Sequence, residues 1–269
     1  MAALGGLSEV GDAVGTVSLL SELAALRRER AAQRKSERRF FFGSVEAVIE
    51  ERVGASVGSR VFDGAVWLCE HLAELSRLGE FPVDSNVLEL GSGTALCAVV
   101  CAKLFADVRV VASDREMQRD LIEANLVANA MPSERARFVA LDWTDGDAVT
   151  ALLAVERRGG FSHVLMSDVV PSDRTVFPAL VSTLCRVTSP GSVVLFTQTS
   201  AAEDDAHPQL GLLRRSADFE RCNTPLQDFL VMVDAHGFKV ECLARNRLWQ
   251  FTRRSGAWLS TDGGFASRK

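Results

Sequence analysis

The sequence predicts an α/β fold, a mostly parallel seven-stranded sheet with helices on both faces that ends in an antiparallel hairpin. Three observations predict it. From Arg60 onward, short apolar runs alternate with segments of helical period. One run, Val87-Leu88-Glu89-Leu90, breaks directly into the small-residue turn Gly91-Ser92-Gly93-Thr94-Ala95. The last two runs are separated only by residues 245–247, and a parallel crossover needs roughly a dozen residues or more, so these two must pair antiparallel.

Taken in order, strands are predicted at residues 86–90, 108–113, 136–141, 162–167, 192–197, 238–244 and 248–253. Helices fill the gaps at 65–78, 95–105, 117–128, 147–157, 174–187 and 224–235. Residues 58–259 therefore read as the main domain, and residues 260–269, rich in Gly and Ser, as a flexible tail. Residues 1–57 read as a helical appendage. There Leu19, Leu20, Leu23 and Leu26 predict a helix running into the basic cluster Arg27, Arg28, Arg30, Arg34, Lys35, Arg38 and Arg39. Glu22, Glu29 and Glu37 interrupt the cluster, so a solvated helix face competes with a surface for nucleic acid or an acidic partner.

Composition narrows the classes. A chain of 269 residues that is 47% hydrophobic can bury a substantial core, and a net charge of -5 argues against a protein that coats nucleic acid along its whole surface. Cys69, Cys97, Cys101, Cys185, Cys222 and Cys242 lack the paired spacing of a zinc ribbon and lie mostly among apolar neighbours, and the four histidines are scattered. No metal site is expected, and a reducing compartment is. No apolar run approaches the roughly 20 residues that span a bilayer, and the N-terminus carries no basic flank before an apolar segment. The expectation is a cytosolic monomer without a membrane partner, with the nucleus as the alternative location.

The turn after the first predicted strand is the centre of the functional reading. Glycines there let a backbone approach a ligand with no Cβ in the way. A nicotinamide fingerprint wants Gly or Ala at position 96 for close helix packing, and this chain has Leu96. About 20 residues beyond the turn, the next strand ends at Asp114, where a carboxylate can accept from two ribose hydroxyls. The third strand ends Leu141-Asp142-Trp143, a carboxylate beside a flat ring, which suits an adenine. Each piece has a structural reading as well: a helix cap for Asp114, core packing for Trp143. Their recurrence at successive strand ends is what makes them one site.

In these residues the chain resembles the seven-β-strand protein methyltransferases related to the lysine methyltransferases. The likeness covers about residues 58–199: the acidic-x-Gly-x-Gly loop, Val61-Phe62-Asp63-Gly64-Ala65-Val66-Trp67-Leu68, Asp114-Arg115, Asn125 and Asn129, Leu141-Asp142-Trp143, and Met166-Ser167-Asp168-Val169-Val170. The resemblance implies a Rossmann-like methyltransferase sheet and S-adenosylmethionine (SAM) as cofactor. It places Gly91, Ser92 and Gly93 at the methionine end with Glu89 nearby, Asp114 on the ribose and Trp143 on adenine with Asp142 adjacent. Phe62 and Ser167 would complete the pocket walls, though Phe62 as core and Ser167 as a helix cap are alternatives. Asp168 would act on the acceptor, again with a helix cap as its alternative. Many lysine-specific relatives carry Asp-x-x-Tyr there, whereas this chain reads Asp168-Val169-Val170-Pro171 and contains no Tyr. Ala95 stands where the family has a third Gly, and would be strained if it needed positive φ. The implied function is methylation of a lysine side chain of a protein substrate. A protein arginine or other N-methyltransferase, or a non-catalytic scaffold, is the alternative. The acidic stretch Glu203, Asp204 and Asp205 would suit a basic substrate.

Overall fold

The computed structural model describes residues 35–82, 84–156, 160–170, 173–199, 226–244 and 247–255. A hairpin comes first, β1 (Lys35–Phe42) and β2 (Val45–Arg52). Then follow α1 (Asp63–Leu78), β3 (Asn86–Leu90), α2 (Leu96–Leu104), β4 (Arg109–Asp114), α3 (Arg119–Ala128), β5 (Ala136–Ala140) and α4 (Gly146–Val155). The chain continues through β6 (Phe161–Ser167), α5 (Phe177–Val187), β7 (Thr188–Thr197), α6 (Leu226–Ala235), β8 (Phe238–Ala244) and β9 (Leu248–Arg253).

Strands β3 to β9 form one sheet in the order β5, β4, β3, β6, β7, β9, β8. The inner pairs are parallel, while β9 runs antiparallel to both β7 and β8. The seven strands expected from sequence, and their terminal hairpin, are all present. The chain builds outward from β3 to β5 and then returns to place β6 on the other side of β3. Open α/β sheets bind ligands at such a reversal, outside the carboxyl ends of the strands.

Covering both faces requires strands that are apolar on both sides. In β3, Val87 joins a core with α1, α2 and the hairpin, while Leu88 and Leu90 join a core with α5 and α6 on the opposite face. Glu89 shares the parity of Val87 and so points toward α2. Helix α1 ends where Gly79 adopts φ +69° and its N–H caps the carbonyls of Leu75 and Ser76. Among the described residues no helix is long and apolar enough to cross a membrane.

The N-terminal expectation needs correction. The helix predicted to run into Lys35, Arg38 and Arg39 is strand β1 over those residues. Residues 1–34 and 256–269 lie outside the described residues, as do the acidic stretch at 203–205 and Cys222. The reason for the correction is periodicity. Phe40 and Phe42 alternate inward against Val45, Ala47 and Ile49 of β2, Lys35, Glu37 and Arg39 alternate outward with period two, and Arg38 on the inward parity pairs with the buried Glu51. Lys35 pairs with Glu50, and Arg39 with Glu37 and Glu46. Nor is the hairpin a loose appendage. The edge of β2 is met by two asparagines one turn apart, Asn125 on α3 and Asn129 at its C-cap. Val48 N–H donates to Asn129 Oδ1 at 3.0 Å, and Glu50 N–H to Asn125 Oδ1 at 2.7 Å. Each Nδ2 donates back to the carbonyl of the same strand residue, so the helix completes the strand's hydrogen bonding as a neighbouring strand would.

Phe40→Ala tests whether the hairpin belongs to the cooperative unit. Phe40 is fully buried, so its truncation is expected to cost about 3–5 kcal/mol in denaturant unfolding. A loosely attached hairpin would leave the main transition unmoved.

Candidate active site

The loop after β3 is built from positive backbone dihedrals. Gly91 has φ +70°, Gly93 +54° and Ala95 +62°. Space requires the first two to be glycines. A Cβ on Gly91 would sit 2.7 Å from Val169 Cγ1, and one on Gly93 would sit 2.8 Å from the carbonyl oxygen of Gly58. Ala95 takes the left-handed conformation with a Cβ, at a cost of about 1–2 kcal/mol. The strain anticipated from sequence is present. The loop is held around its circumference: Ser92 N–H donates to Ser113 O at 2.9 Å, Ala95 N–H to Ser92 O at 2.6 Å, and Asn125 Nδ2 to Thr94 O at 2.9 Å.

Three carboxylates at strand ends surround this loop, and each accepts from backbone. Helix α2 begins at Ala95, which has no capping side chain, and Glu89 of β3 supplies the acceptor instead, taking Ala98 N–H on Oε2 at 3.1 Å. Burial pushes the Glu89 carboxyl up to about 8 against the hydrogen bonds it receives. Asp114 at the end of β4 accepts from Gly93 N–H at 2.9 Å and Arg115 N–H at 2.7 Å, with burial again raising its pKa. Asp168, just past β6, accepts from Gly64 N–H at 2.8 Å and Thr199 Oγ1 at 3.1 Å on Oδ2, and from Thr199 N–H at 2.5 Å on Oδ1. It thereby caps α1, whose own N-cap, Phe62, has no acceptor to offer. Burial raises Asp168 to about 6.

The helix cap weighed for Asp168 is thus real, but it belongs to α1 and not to the helix that follows Asp168 in sequence. Gly64 allows it, because a Cβ there would lie 2.4 Å from Asp168 Oδ2. Asp168 itself has φ +51°. The remaining candidates stand around the same space. Trp143 lays Cζ2 beside Gly91, and Thr183 Oγ1 donates to its carbonyl at 3.4 Å. Asp142, exposed, accepts from Thr144 N–H at 2.9 Å and Oγ1 at 2.6 Å, which lowers its pKa. The Arg60 guanidinium lies 4.7 Å over the Phe62 ring, and Ser167 Oγ is 3.8 Å from Cys97 Sγ.

Phe62, Glu89, Gly91, Ser92, Gly93, Asp114, Asp142, Trp143, Ser167 and Asp168 all line one cavity of about 620 Å³. Sequence reasoning missed several of its parts. Gly58 crosses the glycine loop and packs on Gln118, whose Oε1 accepts from Ser56 Oγ at 3.0 Å. Gln198 and Thr199, just past β7, clamp the segment after β6, where Val170 N–H donates to Gln198 Oε1 at 3.2 Å. A strand ending Thr-Gln-Thr, rich in short side chains that bond backbone, was the available signal. Among the described residues no His, Cys, Asp and Glu cluster is arranged to hold a metal ion.

Residues 43–207, more than half the chain, match the family model described as lysine methyltransferase. EEF1A lysine methyltransferase 3 of Mus musculus is 31% identical over 170 residues, 62% of this chain and 68% of the relative. Protein N-lysine methyltransferase METTL21A of Danio rerio is 34% identical over 145 residues, 52% of this chain and 60% of the relative, so the match leaves more than a third of that protein uncovered. Among solved structures, a T. thermophilus 16S rRNA methyltransferase in complex with AdoMet and guanosine shares the fold. Its TM-score is 0.52 at 18% identity, covering 82% of this chain and 51% of that one.

Two predictions follow from the loop. Glu89 holds its proton more tightly folded than unfolded, so its contribution to stability is complete below 4.5 and is lost as pH rises toward about 8. Glu89→Gln keeps an acceptor for Ala98 and removes the charge. The stability of the parent chain minus that of Glu89→Gln should therefore fall across this range and level off above it; a difference independent of pH would contradict the buried, protonated state. Ala95→Gly exchanges a buried methyl for relief of strain, so thermal unfolding should move by no more than about 1 kcal/mol. Ala98→Gly, in the regular helix, should cost about 1 kcal/mol or more.

Proposed function

Because this chain belongs to the lysine methyltransferase family, we propose that it transfers the methyl group of SAM to a lysine side chain of a protein substrate. One observation carries the proposal. Asp168 is fixed at the reversal point of the sheet, beside a glycine loop into which no further Cβ would fit.

SAM supplies a methyl already activated on a sulfonium, so this chain has to bind, orient and exclude water. Gly91 and Gly93 offer a close backbone approach, and the carboxyl groups of Asp114 and Asp168 face the cavity, which suits a cation, while Glu89, raised to about 8 by burial, stands there as a neutral acid at pH 7. Asp114 would take the ribose and Trp143 the adenine face, with Asp142 adjacent. Phe62 and Ser167 would close the walls. A lysine ammonium must lose a proton before it can attack, which costs on the order of 4 kcal/mol at neutral pH for a pKa near 10.4. Asp168 is equipped to help. A carboxylate has about four acceptor positions, and the three bonds from Gly64 and Thr199 leave roughly one, on Oδ1. With a pKa of about 6, the group is ionised at neutral pH and can orient the amine while its proton passes to water. Val169 and Val170 line the cavity beside Asp168, so this part of its wall is aliphatic. On the same reading the protein works as a monomer in the cytosol, a placement supported by the buried thiols of Cys69, Cys97, Cys101 and Cys185.

Asp168→Asn is expected to abolish methyl transfer, by about a hundredfold or more, and to leave SAM affinity within a few-fold. Near-normal turnover in that variant would remove Asp168 from the chemistry. Labelled SAM incubated with a lysate, followed by mass spectrometry, should place the label on lysine; label on arginine would overturn the acceptor assignment.

A further inference from the structure

The hairpin and the cofactor loop meet at a single side chain. Asn125, fully buried on α3, accepts Glu50 N–H on Oδ1 and uses its two Nδ2 hydrogens on Glu50 O at 3.0 Å and Thr94 O at 2.9 Å. Asn129, one turn later, makes the matching pair with Val48 but directs its other hydrogen to Asn125 O at 2.8 Å, away from the loop. Both asparagines thus hold the edge of β2, and Asn129 Oδ1 accepts in addition from Lys103 Nζ at 2.9 Å, which also donates to Glu46 O at 2.6 Å. Only Asn125 also touches the loop.

The carbonyl it touches matters because of the residue that follows. Thr94 O belongs to the peptide joining Thr94 to Ala95, and rotating that peptide changes ψ of Thr94 together with φ of Ala95. Ala95 is the strained residue, at φ +62° with a Cβ, and an unrestrained peptide would rotate to relieve it. Glycine would rest there without strain.

We infer that Asn125 is a positioning residue for the SAM loop: its amide holds the carbonyl of the Thr94–Ala95 peptide, whose N–H is bonded to Ser92 O at 2.6 Å, and so helps keep Ala95 left-handed while linking the loop to the edge of β2. The inference rests on the reading of Gly91 to Ala95 as the SAM site.

Calorimetric SAM binding by the full chain tests it, with Asn129→Ala as the matched control. Both variants loosen the hairpin, so both should lower thermal stability, Asn129→Ala at least as much because it also removes an acceptor of Lys103 Nζ. Asn125→Ala should weaken SAM binding about tenfold, and Asn129→Ala less than about twofold. Placing Ala95→Gly in the same chain as Asn125→Ala should restore most of the lost affinity, because no strain then remains to drive the peptide over. Equal weakening by the two asparagine variants, or no recovery with glycine, would overturn the inference. Should Asn125→Ala not fold, hydrogen exchange on the unaltered chain reads the same link. SAM should slow exchange at Glu50 N–H several-fold and leave Val48 N–H nearly unchanged, and an equal response at both would overturn it. Failure of the unaltered chain to bind SAM would overturn the cofactor reading itself, and this inference with it.

Discussion

Among the described helices that start without a capping side chain of their own, α1 and α2 are capped from a distance, by carboxyl groups that line the cavity. Phe62 and Ala95 occupy the N-cap positions of α1 and α2 and neither offers an acceptor. An uncapped first turn leaves N–H groups without partners, which a buried helix end tolerates poorly. Asp168 and Glu89 reach over from the ends of β6 and β3 to supply the acceptors. The arrangement answers two demands together. The helix ends obtain partners, and the carboxylates obtain N–H donors that offset part of the several kcal/mol of burying a charge. The offset is incomplete, which is why burial still raises both groups. The residual effect is a cavity lined by Glu89, Asp114, Asp142 and Asp168, with Arg60 and Arg115 on the same lining.

Close backbone approach follows from the same geometry. Asp168 can cap α1 only because Gly64 has no Cβ, and the glycine loop can lie under the segment before α1 only because Gly58 and Gly93 meet without side chains. Thr197 Oγ1 donates to Gly64 O at 2.8 Å, so the end of β7 holds the peptide whose neighbour binds Asp168. These contacts tie α1, β6 and β7 together at the point where the sheet order reverses. A change at Gly64 would therefore be felt at Asp168 without touching any ligand.

The sheet was legible because its strands are either continuous apolar runs or end in residues with a chemical role. Glu89, Asp114, Asp142 and Asp168 each sit at or just past the carboxyl end of a strand, and strand order alone converts that into proximity. Hairpin β1–β2 was not legible for the opposite reason. Its outward Lys35, Glu37 and Arg39 continue a charged pattern that begins upstream, and the inward Phe40, Phe42 and Ile49 acquire meaning only from the helices they cover. Asn125 and Asn129 stood out in the sequence, yet helical spacing gives no sign that they complete a strand edge, because that strand lies about 75 residues and more away. Thr199 was hidden in the same way: its partner is Asp168, 31 positions earlier. Local pattern finds the elements, whereas the contacts that orient the site join segments remote in sequence.

The immobility of Asp168 decides whether a structural cap can also serve chemistry. A carboxylate free to rotate would lose orientation entropy each time it met an acceptor, and water would compete for both of its oxygens. Here Gly64 and Thr199 fix the plane of the group, the backbone at φ +51° fixes its base, and the remaining acceptor position on Oδ1 has one direction. Groups fixed before the reaction need no reorganisation during it, which is where enzymes gain most from electrostatics. The amide at the N-terminus of α1 further favours the charged form, holding the carboxyl at about 6 despite burial, low enough to be ionised at neutral pH. In a chain with no tyrosine, no phenol is available to share the orientation of an incoming amine. On the proposed reading that task falls to the cap itself, and the rigidity that makes Asp168 a structural residue is what would fit it for the task.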